Sequence, residues 1–182
     1  MKISVIIPTN NRAQLLPRAL ESVIQQTYKP FEIVVVDDGS VDSTKNTIDN
    51  FQSTISLKYI YQKKGGVSNA RNNGIKNSNG DWVAFLDSDD EWMLNKLAKQ
   101  VLFLENHHEL SFCHTDEIWV RNGVRINQMK KHKKFGGKIF EKCLDICRIS
   151  PSSVLIKKTV FNKVGFFDEE LRVCEDYDLW LK

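Results

Sequence analysis

Three acidic side chains follow an apolar segment in the middle of the chain. Residues 82–86 carry no charge, and Asp87, Ser88, Asp89 and Asp90 come directly after them. Such a run predicts a strand buried on both faces, and ligands of open α/β sheets bind outside the carboxyl ends of these strands. On an extended chain Asp87 and Asp89 point to the same side, so we expect them to converge on Mg²⁺ or Mn²⁺. Acids here also form turns and helix caps, a role open to Asp89 and Asp90.

A second apolar segment ends in the same way. Residues 31–36 lead into Asp37, Asp38 and Gly39, and Asp42 follows at the start of a predicted helix. Taken alone, an Asp-Gly pair indicates a turn and Asp42 a helix cap. Two buried strands that bring paired acids to one edge of a sheet favour a ligand site instead.

Composition sets the class of protein. With 182 residues, 41% hydrophobic and 27% charged, the chain is expected to form one globular domain spanning 1–182. The apolar N-terminal segment is too short for a signal peptide or a membrane span, which predicts a cytoplasmic protein. The net charge of +3, without interleaved aromatic and basic residues, argues against a nucleic-acid partner. Four cysteines without a CxxC pair are expected to be free thiols, with Cys143 and Cys147 one turn apart on a helix.

Strand and helix patterns alternate through the first half of the chain. Strands are predicted at 3–8, 31–37, 57–61 and 81–87, and helices at 15–24, 42–51, 67–76 and 94–104. This alternation predicts a Rossmann-like three-layer α/β/α sandwich with a mostly parallel sheet. The second half is expected to add antiparallel strands, with a strand at 110–120, a turn at 121–123, its partner at 124–129 and a later strand at 151–156.

The first predicted strand is not followed by a glycine-rich phosphate loop. Pro8, Thr9, Asn10, Asn11 and Arg12 stand there instead, and no GxxxxGK[ST] motif occurs. NAD and the common ATP sites are therefore disfavoured. Acids for a metal and a base, together with arginines for phosphate, suit a nucleoside diphosphate.

Five segments, in order, resemble the successive motifs of family 2 glycosyltransferases. They are Pro8 to Arg12, Val36 to Thr44, Gly66 to Gly74, Phe85 to Asp90 and Glu175 to Leu181. The resemblance extends over the whole chain and is weakest between about 120 and 148. It implies a GT-A fold, a nucleotide-sugar donor, a divalent cation and inverting transfer without a covalent sugar–enzyme intermediate.

The resemblance also implies roles for individual residues. Asp38 matches an acid that accepts the N3–H of uracil or thymine, so the donor is expected to be a UDP- or dTDP-sugar. Asp89 matches the metal ligand, a role that Asp90 could share. The residues assigned to the nucleotide sugar are Pro8, Thr9, Arg12, Asp38, Arg71, Asp87 and Ser88.

Asp176 is the predicted general base, and Glu175 is the alternative. Inverting transfer needs one carboxylate to take the proton of the acceptor hydroxyl. Without the resemblance, these acids would be read as the first turn of a helix, where negative charge is stabilising. Ser152 or Ser153, at the start of a predicted strand, is expected near the acceptor.

The acceptor is predicted to be a hydroxyl of a glycan or a lipid-linked molecule, as in surface polysaccharide biosynthesis. No QxxRW segment is present, which favours a single transfer over polymerisation. The basic run 130–134 is expected to be a solvated loop, with contact to anionic lipid at the inner face of the membrane as its functional alternative. Because the family continues beyond the position of Lys182, the domain is expected to be shortened at its C-terminus.

Three other functions compete with this interpretation, and one of them is a phosphoacceptor signalling domain, which also ends strands in acids. A non-catalytic nucleotide-sugar-binding module would keep the same donor site. A sugar nucleotidyltransferase would use similar acids and metal, but it requires a glycine-rich loop after the first strand, which this sequence lacks.

Overall fold

A six-stranded mixed sheet lies at the centre of the computed structural model, which describes residues 1–51 and 56–182. Its strands are β1 (Ile3–Thr9), β2 (Glu32–Asp38), β3 (Leu57–Gln62), β4 (Trp82–Phe85), β5 (Phe112–His114) and β8 (Val154–Lys157), in the order β3-β2-β1-β4-β8-β5. The first four strands are parallel, and β8 runs antiparallel to both of its neighbours. The predicted mostly parallel sheet with antiparallel pairing in the second half is therefore confirmed.

Helices cover both faces of this sheet. They are α1 (Leu16–Ile24), α2 (Thr44–Asp49), α3 (Val67–Asn77), α4 (Lys96–Glu105), α5 (Phe140–Cys143), α6 (Phe161–Val164) and α7 (Glu175–Leu181). Alternate residues of β1 face opposite cores: Val5 packs in the core that includes α1 and α4, and Ile6 packs in the core that includes α3 and α7. The three predicted layers follow from this alternation. Within the described ranges, no helix combines the length and apolar character needed to cross a bilayer.

The strand order brings the carboxyl ends of β2, β1 and β4 next to one another. Thr9 at the end of β1 pairs with Asp37 near the end of β2, so both strands end at the same edge. Helix α3 packs closely against β1. A Cβ on Gly74 would lie 2.4 Å from Cγ2 of Ile6, so the approach requires glycine at this position. The loops that follow β1, β2 and β4 therefore lie side by side at this edge of the sheet.

Residues 87–90, here called the acidic loop, do not continue strand β4. β4 ends at Phe85, and the N–H of Asp90 donates to the carbonyl of Asp87 at 2.9 Å, which closes a tight turn. The prediction that Asp87 and Asp89 share one side of an extended chain is therefore wrong. The pairing of β4 with β8 covers only residues 82–84, and the Ser152 hydroxyl accepts the N–H of Asp87 where a strand ladder would otherwise continue.

The predicted strand 110–120 is two strands in different sheets. β5 belongs to the main sheet, whereas β6 (Trp119–Arg121) pairs with β7 (Val124–Ile126) in a separate hairpin. Between them, the Glu117 carboxylate accepts hydrogen bonds from Trp119 Nε1 and Ser150 Oγ, and these contacts fix a change of direction. The hairpin itself is confirmed, with positive φ at Asn122 and Gly123 in its turn.

Three further boundaries differ from the sequence patterns. The helix expected at 42–51 is limited to Thr44–Asp49, and residues 151–153 form a 3₁₀ turn before β8. The helix that carries Cys143 ends at that residue, so Cys143 and Cys147 are not a helical pair. Tyr177 donates its hydroxyl to the carbonyl of Cys143 at 2.5 Å, a tertiary contact that the local pattern does not reveal.

Candidate active site

A cleft of about 320 Å³ lies at the carboxyl ends of β1, β2 and β4, beside the start of α3. Its lining consists of Pro8, Thr9, Asn10, Arg12, Asp38, Val67, Ala70, Arg71, Asp87, Ser88 and Asp89. All seven residues predicted to bind the nucleotide sugar are present, together with the predicted metal ligand Asp89. Asp90 and Asp176 are outside the lining. Asn10, Val67 and Ala70 were not predicted, although Asn10 belongs to the same polar segment after β1.

Asp38 is a buried carboxylate with two backbone donors and one side-chain donor. Its Oδ1 accepts the N–H of Gly65 and the side-chain amide of Gln62, each at 2.7 Å, and its Oδ2 accepts the N–H of Gly66 at 2.8 Å. Gly66 has φ +92°, a conformation that favours glycine and that turns its N–H toward the acid. A carboxylate has about four acceptor positions, so Oδ2 retains one within the described part of the chain.

Thr9 and Asn10 occupy the end of β1. The side-chain amide of Asn10 donates to the carbonyl of Asp38 at 2.8 Å, which ties β1 to β2 across the cleft. Thr9 is 3% exposed, and its Oγ1 has no hydrogen-bond partner within residues 1–51 and 56–182. A buried hydroxyl without a partner is costly and unusual. The cleft therefore contains a polar group whose bonding is unsatisfied within the described part of the chain, and Nε of Arg71, in the same lining, is a second.

Arg71 is a buried cation held between two acids. Its Nη2 lies 2.8 Å from Oδ1 of Asp87, and its Nη1 lies 2.6 Å from Oε1 of Glu175. Burial acts to lower the pKa of Arg71, but the two carboxylates outweigh it and raise that pKa above its ordinary value. Arg71 thus fixes the acidic loop to the first turn of α7. Its predicted support of the nucleotide stays a prediction.

The acidic loop makes different contacts at each of its carboxylates. Oδ2 of Asp90 accepts the Ser152 hydroxyl at 2.6 Å, while the carboxylate of Asp89, within the described ranges, has only a long ion pair with Arg12, at 3.8 Å between half-exposed side chains. Although Asp90 is an exposed residue, loss of solvent around its carboxyl group raises its pKa, and the charges of Asp87 and Asp89 raise it further. Negative charge is therefore concentrated in this loop.

A divalent cation fits the chemistry of this loop. The available donors, Asp89 and Asp90, are carboxylate oxygens, which suit Mg²⁺ or Mn²⁺. Among residues 1–51 and 56–182, no three His, Cys, Asp or Glu side chains are grouped closely enough to hold a metal ion by themselves. Part of the coordination would have to come from water or from a bound diphosphate, as Mg²⁺ sites in phosphate-binding proteins commonly do.

Asp176 lies in the first turn of α7, next to the glutamate that Arg71 holds. It is half-buried, and the Cys147 thiol donates to its Oδ2 at 3.8 Å. Burial raises the pKa of Asp176, the N–H of Tyr177 lowers it, the charge of Glu175 raises it, and that of Arg71 lowers it, with a net rise. The residue before the helix, Cys174, has φ +62°, a conformation that non-glycine residues rarely adopt.

Comparison with known proteins identifies the fold and the family. The crystal structure of S. aureus TarS 1-349 in complex with UDP is similar, with a TM-score of 0.78 and 28% identity over 97% of this chain and 53% of that one. The E. coli protein WfgD, a UDP-Glc:alpha-D-GlcNAc-diphosphoundecaprenol beta-1,3-glucosyltransferase, is 31% identical over 98% of this chain and 68% of its own length. The predicted GT-A fold is therefore confirmed.

Other relatives are longer than the matched region. An uncharacterized glycosyltransferase of Rickettsia bellii is 34% identical over 99% of this chain, which spans 26% of that protein. The model of glycosyl transferase family 2 matches residues 4–165. This match covers most of β1 to α6, including four of the five segments that carry the resemblance. The chain belongs to glycosyltransferase family 2.

Proposed function

We propose that this chain is the catalytic domain of a metal-dependent, inverting glycosyltransferase. It moves a sugar from a UDP-sugar, or a dTDP-sugar, to a hydroxyl of a lipid-linked glycan. One observation carries the proposal: four separate segments bring all seven residues assigned to the nucleotide sugar, and Asp89, into a single cleft. The likeness to a UDP complex of TarS and to WfgD, which uses UDP-Glc and a lipid diphosphate, supports the choice of donor and acceptor.

The donor side of the mechanism rests on charge and hydrogen bonding. Asp38 has an acceptor position for the N3–H that uracil and thymine carry and cytosine lacks. Arg12 is half-exposed at the cleft and is available to the diphosphate. Asp89 and Asp90 would hold the cation, which when bound neutralises charge that develops on the leaving diphosphate. Arg71, through its ion pair with Asp87, keeps the loop in place.

On the acceptor side, Asp176 is the better base of the two adjacent acids. Glu175 is buried and its Oε1 is bonded to Arg71, so its charge already has a structural role. Asp176 has no ion pair within the described ranges, and its raised pKa makes it a stronger base than an ordinary aspartate. Glu175 then acts as a positioning residue for the turn that presents Asp176.

The test is the Asp176→Asn variant, which removes the charge with little change of shape. We expect UDP binding within a few-fold of the unmodified chain and transfer reduced by about 10²–10⁴, the usual contribution of a general base. Transfer is measured with UDP-Glc and a panel of other UDP-sugars on a GlcNAc-diphosphate lipid. Asp178→Asn is the matched control, because Asp178 lies on the same helix and pairs with Lys182; it should keep nearly full activity.

The stereochemistry of the product provides an independent check. A single in-line displacement inverts the anomeric carbon, so an α-linked donor should give a β-linked product by NMR. A product with retained configuration would refute the mechanism even if the variant were inactive. UDP binding without transfer or donor hydrolysis by the unmodified chain would indicate the non-catalytic module instead. Because the proposed acceptor is anchored in lipid, we further propose that the protein acts at the cytoplasmic face of the membrane.

A further inference from the structure

Positive charge is concentrated in residues 118–144, here called the basic segment. It contains eight Lys or Arg and one Glu, a net charge of +7, whereas the whole chain carries +3. The remaining residues therefore sum to −4. The segment extends well beyond the basic run 130–134 and includes the β6–β7 hairpin and α5. Such separation of charge favours an anionic surface as partner.

Apolar side chains are exposed among these cations. Val120 and Val124 on the hairpin are 62% and 65% exposed, Met129 after it is 57% exposed, and Phe140 and Leu144 at α5 are 58% and 56% exposed. Exposed apolar residues are ordinary by themselves and occur elsewhere in this chain, but those of the basic segment are distinguished by standing in a stretch of net charge +7. Exposed basic residues stand beside them, including Arg121, Arg125, Lys130, Lys131 and Lys142. The segment therefore offers both charge and hydrocarbon to the solvent.

Tertiary contacts hold the basic segment together. The Trp119 ring of the hairpin packs 4.9 Å from the His132 ring, measured between centroids. The Arg148 guanidinium donates to the carbonyls of Lys131 in the 130–132 turn and Lys142 in α5, and the Lys142 ammonium lies 4.3 Å from the centroid of Phe135. The hairpin, the 130–132 turn and α5 are thus linked to one another as parts of one surface.

We infer that the basic segment is a docking surface for an anionic phospholipid bilayer. Lysine and arginine beside such a surface gain electrostatic energy, and neighbouring apolar side chains can enter the boundary between headgroups and acyl chains. Nucleic acid is the less suitable partner, because single strands are bound by exposed aromatic rings among cations. Here the exposed apolar groups are mainly aliphatic, while Trp119 and Phe135 are partly buried against their neighbours.

The position of the basic segment would let a docked bilayer present the acceptor to the active site, an inference that rests on the proposed function. Tyr177 of α7 bonds to the carbonyl of Cys143 in α5, and Cys147 contacts Asp176. The basic segment therefore adjoins the helix that carries the proposed base. A bilayer docked there would present a lipid-anchored acceptor from the side of Asp176 and leave the donor cleft open to nucleotide.

The docking itself is tested without nucleotide or acceptor. The 182-residue chain is sedimented with vesicles of phosphatidylcholine, with and without phosphatidylglycerol, and we expect binding that requires the anionic lipid. The combined variant Arg125→Gln, Lys130→Gln, Lys131→Gln should lower the partition coefficient on the order of 100-fold, because each cation contributes about five-fold. Lys99→Gln, Lys157→Gln, Lys163→Gln is the matched control at three exposed lysines elsewhere, and it should change binding by less than about three-fold.

The apolar contribution has its own variant. Val124→Ser with Met129→Ser should weaken vesicle binding about ten-fold or more, since two exposed apolar groups are lost. The control, Val41→Ser with Met93→Ser, changes two exposed apolar residues away from the segment. Circular dichroism and UDP affinity should be unchanged in every variant, which separates a failure of docking from a failure of the fold or of the donor site.

Three results would overturn the inference. The first is equal partition onto vesicles with and without phosphatidylglycerol. The second is an equal loss of binding in test and control variants. The third is tighter binding to single-stranded RNA than to the anionic vesicles, weakened by the same substitutions, which would assign the surface to nucleic acid.

Discussion

We propose that one buried side chain, Asp38, sets the preference for a nucleobase. Its carboxylate accepts from Gly65, Gly66 and Gln62, so the loop before α3 is ordered around it. The acid is nearly fully buried, and these three hydrogen bonds fix the position of its carboxylate. The remaining acceptor position suits a donor such as N3–H and opposes an acceptor such as N3 of cytosine.

We predict that the chain binds UDP more tightly than CDP by about 1.5–3 kcal/mol, the usual contribution of a hydrogen bond to a charged group. Asp38→Asn should remove most of this difference, because an amide is neutral and offers both donors and acceptors. Calorimetric titration of both nucleotides measures the ratio, which is insensitive to a general loss of stability. The matched control is Asp37→Asn, since Asp37 is equally buried, bonds to Ser40 and Tyr59, and does not line the cleft. Equal affinities for UDP and CDP in the unmodified chain would contradict the role of Asp38.

Among individual residues, the sequence predicts those whose place in the site follows from their position directly after a strand. Acids directly after apolar strands reach the sheet edge by topology alone, and therefore Asp38, Asp87 and Asp89 were found in the cleft. The bond of Ser152 to Asp90 joins residues 62 positions apart, and no local pattern indicates it. The prediction that Ser152 or Ser153 lies near the acceptor is untested, but the structure gives Ser152 a contact with the acidic loop.

Among elements, the strands of the parallel core are the most predictable. β1, β2 and β4 are buried on both faces and so have continuous apolar sequences, which fix their position within one or two residues. The break between β5 and β6 depends on Glu117, whose partners Ser150 and Lys134 lie far along the chain. The hairpin was predictable because Asn122 and Gly123 adopt positive φ readily.

The three carboxylates of the acidic loop differ in how firmly other side chains hold them. Asp87 is fixed by Arg71, and Asp90 is fixed by Ser152, whereas the Asp89 carboxylate has only a 3.8 Å ion pair with Arg12 among the residues that the structure describes. A carboxylate that would lose few existing interactions on binding a cation is the one most available to it. We therefore propose Asp89 as the main metal ligand, with a supporting position for Asp90.

We predict that Asp89→Asn abolishes the increase in UDP affinity that Mn²⁺ produces, because the amide keeps the shape but loses the charge that a divalent ion requires. Asp90→Asn should reduce the increase only partly. Calorimetric titration of UDP with and without Mn²⁺, together with the electron paramagnetic resonance of bound Mn²⁺, measures both effects without any transfer reaction. A normal response to Mn²⁺ in Asp89→Asn, with a lost response in Asp90→Asn, would assign the metal to Asp90.

In the molecule as a whole, one buried cation stands out from the apolar core. Lys96 is 7% exposed, at the start of α4, and donates to Oε1 of Gln100 at 2.7 Å. Its ammonium lies 4.0 Å from the centroid of the Trp92 ring, and it has no carboxylate partner within residues 1–51 and 56–182. Burial lowers the pKa of Lys96 to about 7, against the smaller opposing effect of Cys113. Protonation of Lys96 in the folded protein therefore lowers the free energy of unfolding.

This cost has a defined dependence on pH. Between about pH 7 and the ordinary lysine value of 10.5, the unfolded chain holds a proton on Lys96 that the folded chain does not. Stability from this group thus rises with pH across that window, and below pH 7 the full cost is present. Lys96→Met keeps the length of the side chain and removes the titrating group, so its effect on stability should be largest at low pH.

We predict that Lys96→Met raises the free energy of unfolding by about 2–4 kcal/mol at pH 6, less than the full effect of the pKa shift because the bond to Gln100 is lost. The gain should shrink steadily between pH 7 and 10, since neutral lysine no longer opposes folding. Urea unfolding at pH 6, 8 and 9.5 gives the difference between variant and unmodified chain, in which most other titrating groups cancel. Lys99→Met, at an exposed position of the same helix, is the matched control and should show no such trend. A variant less stable than the unmodified chain at pH 6, or a difference independent of pH, would show that Lys96 is held charged in the folded protein.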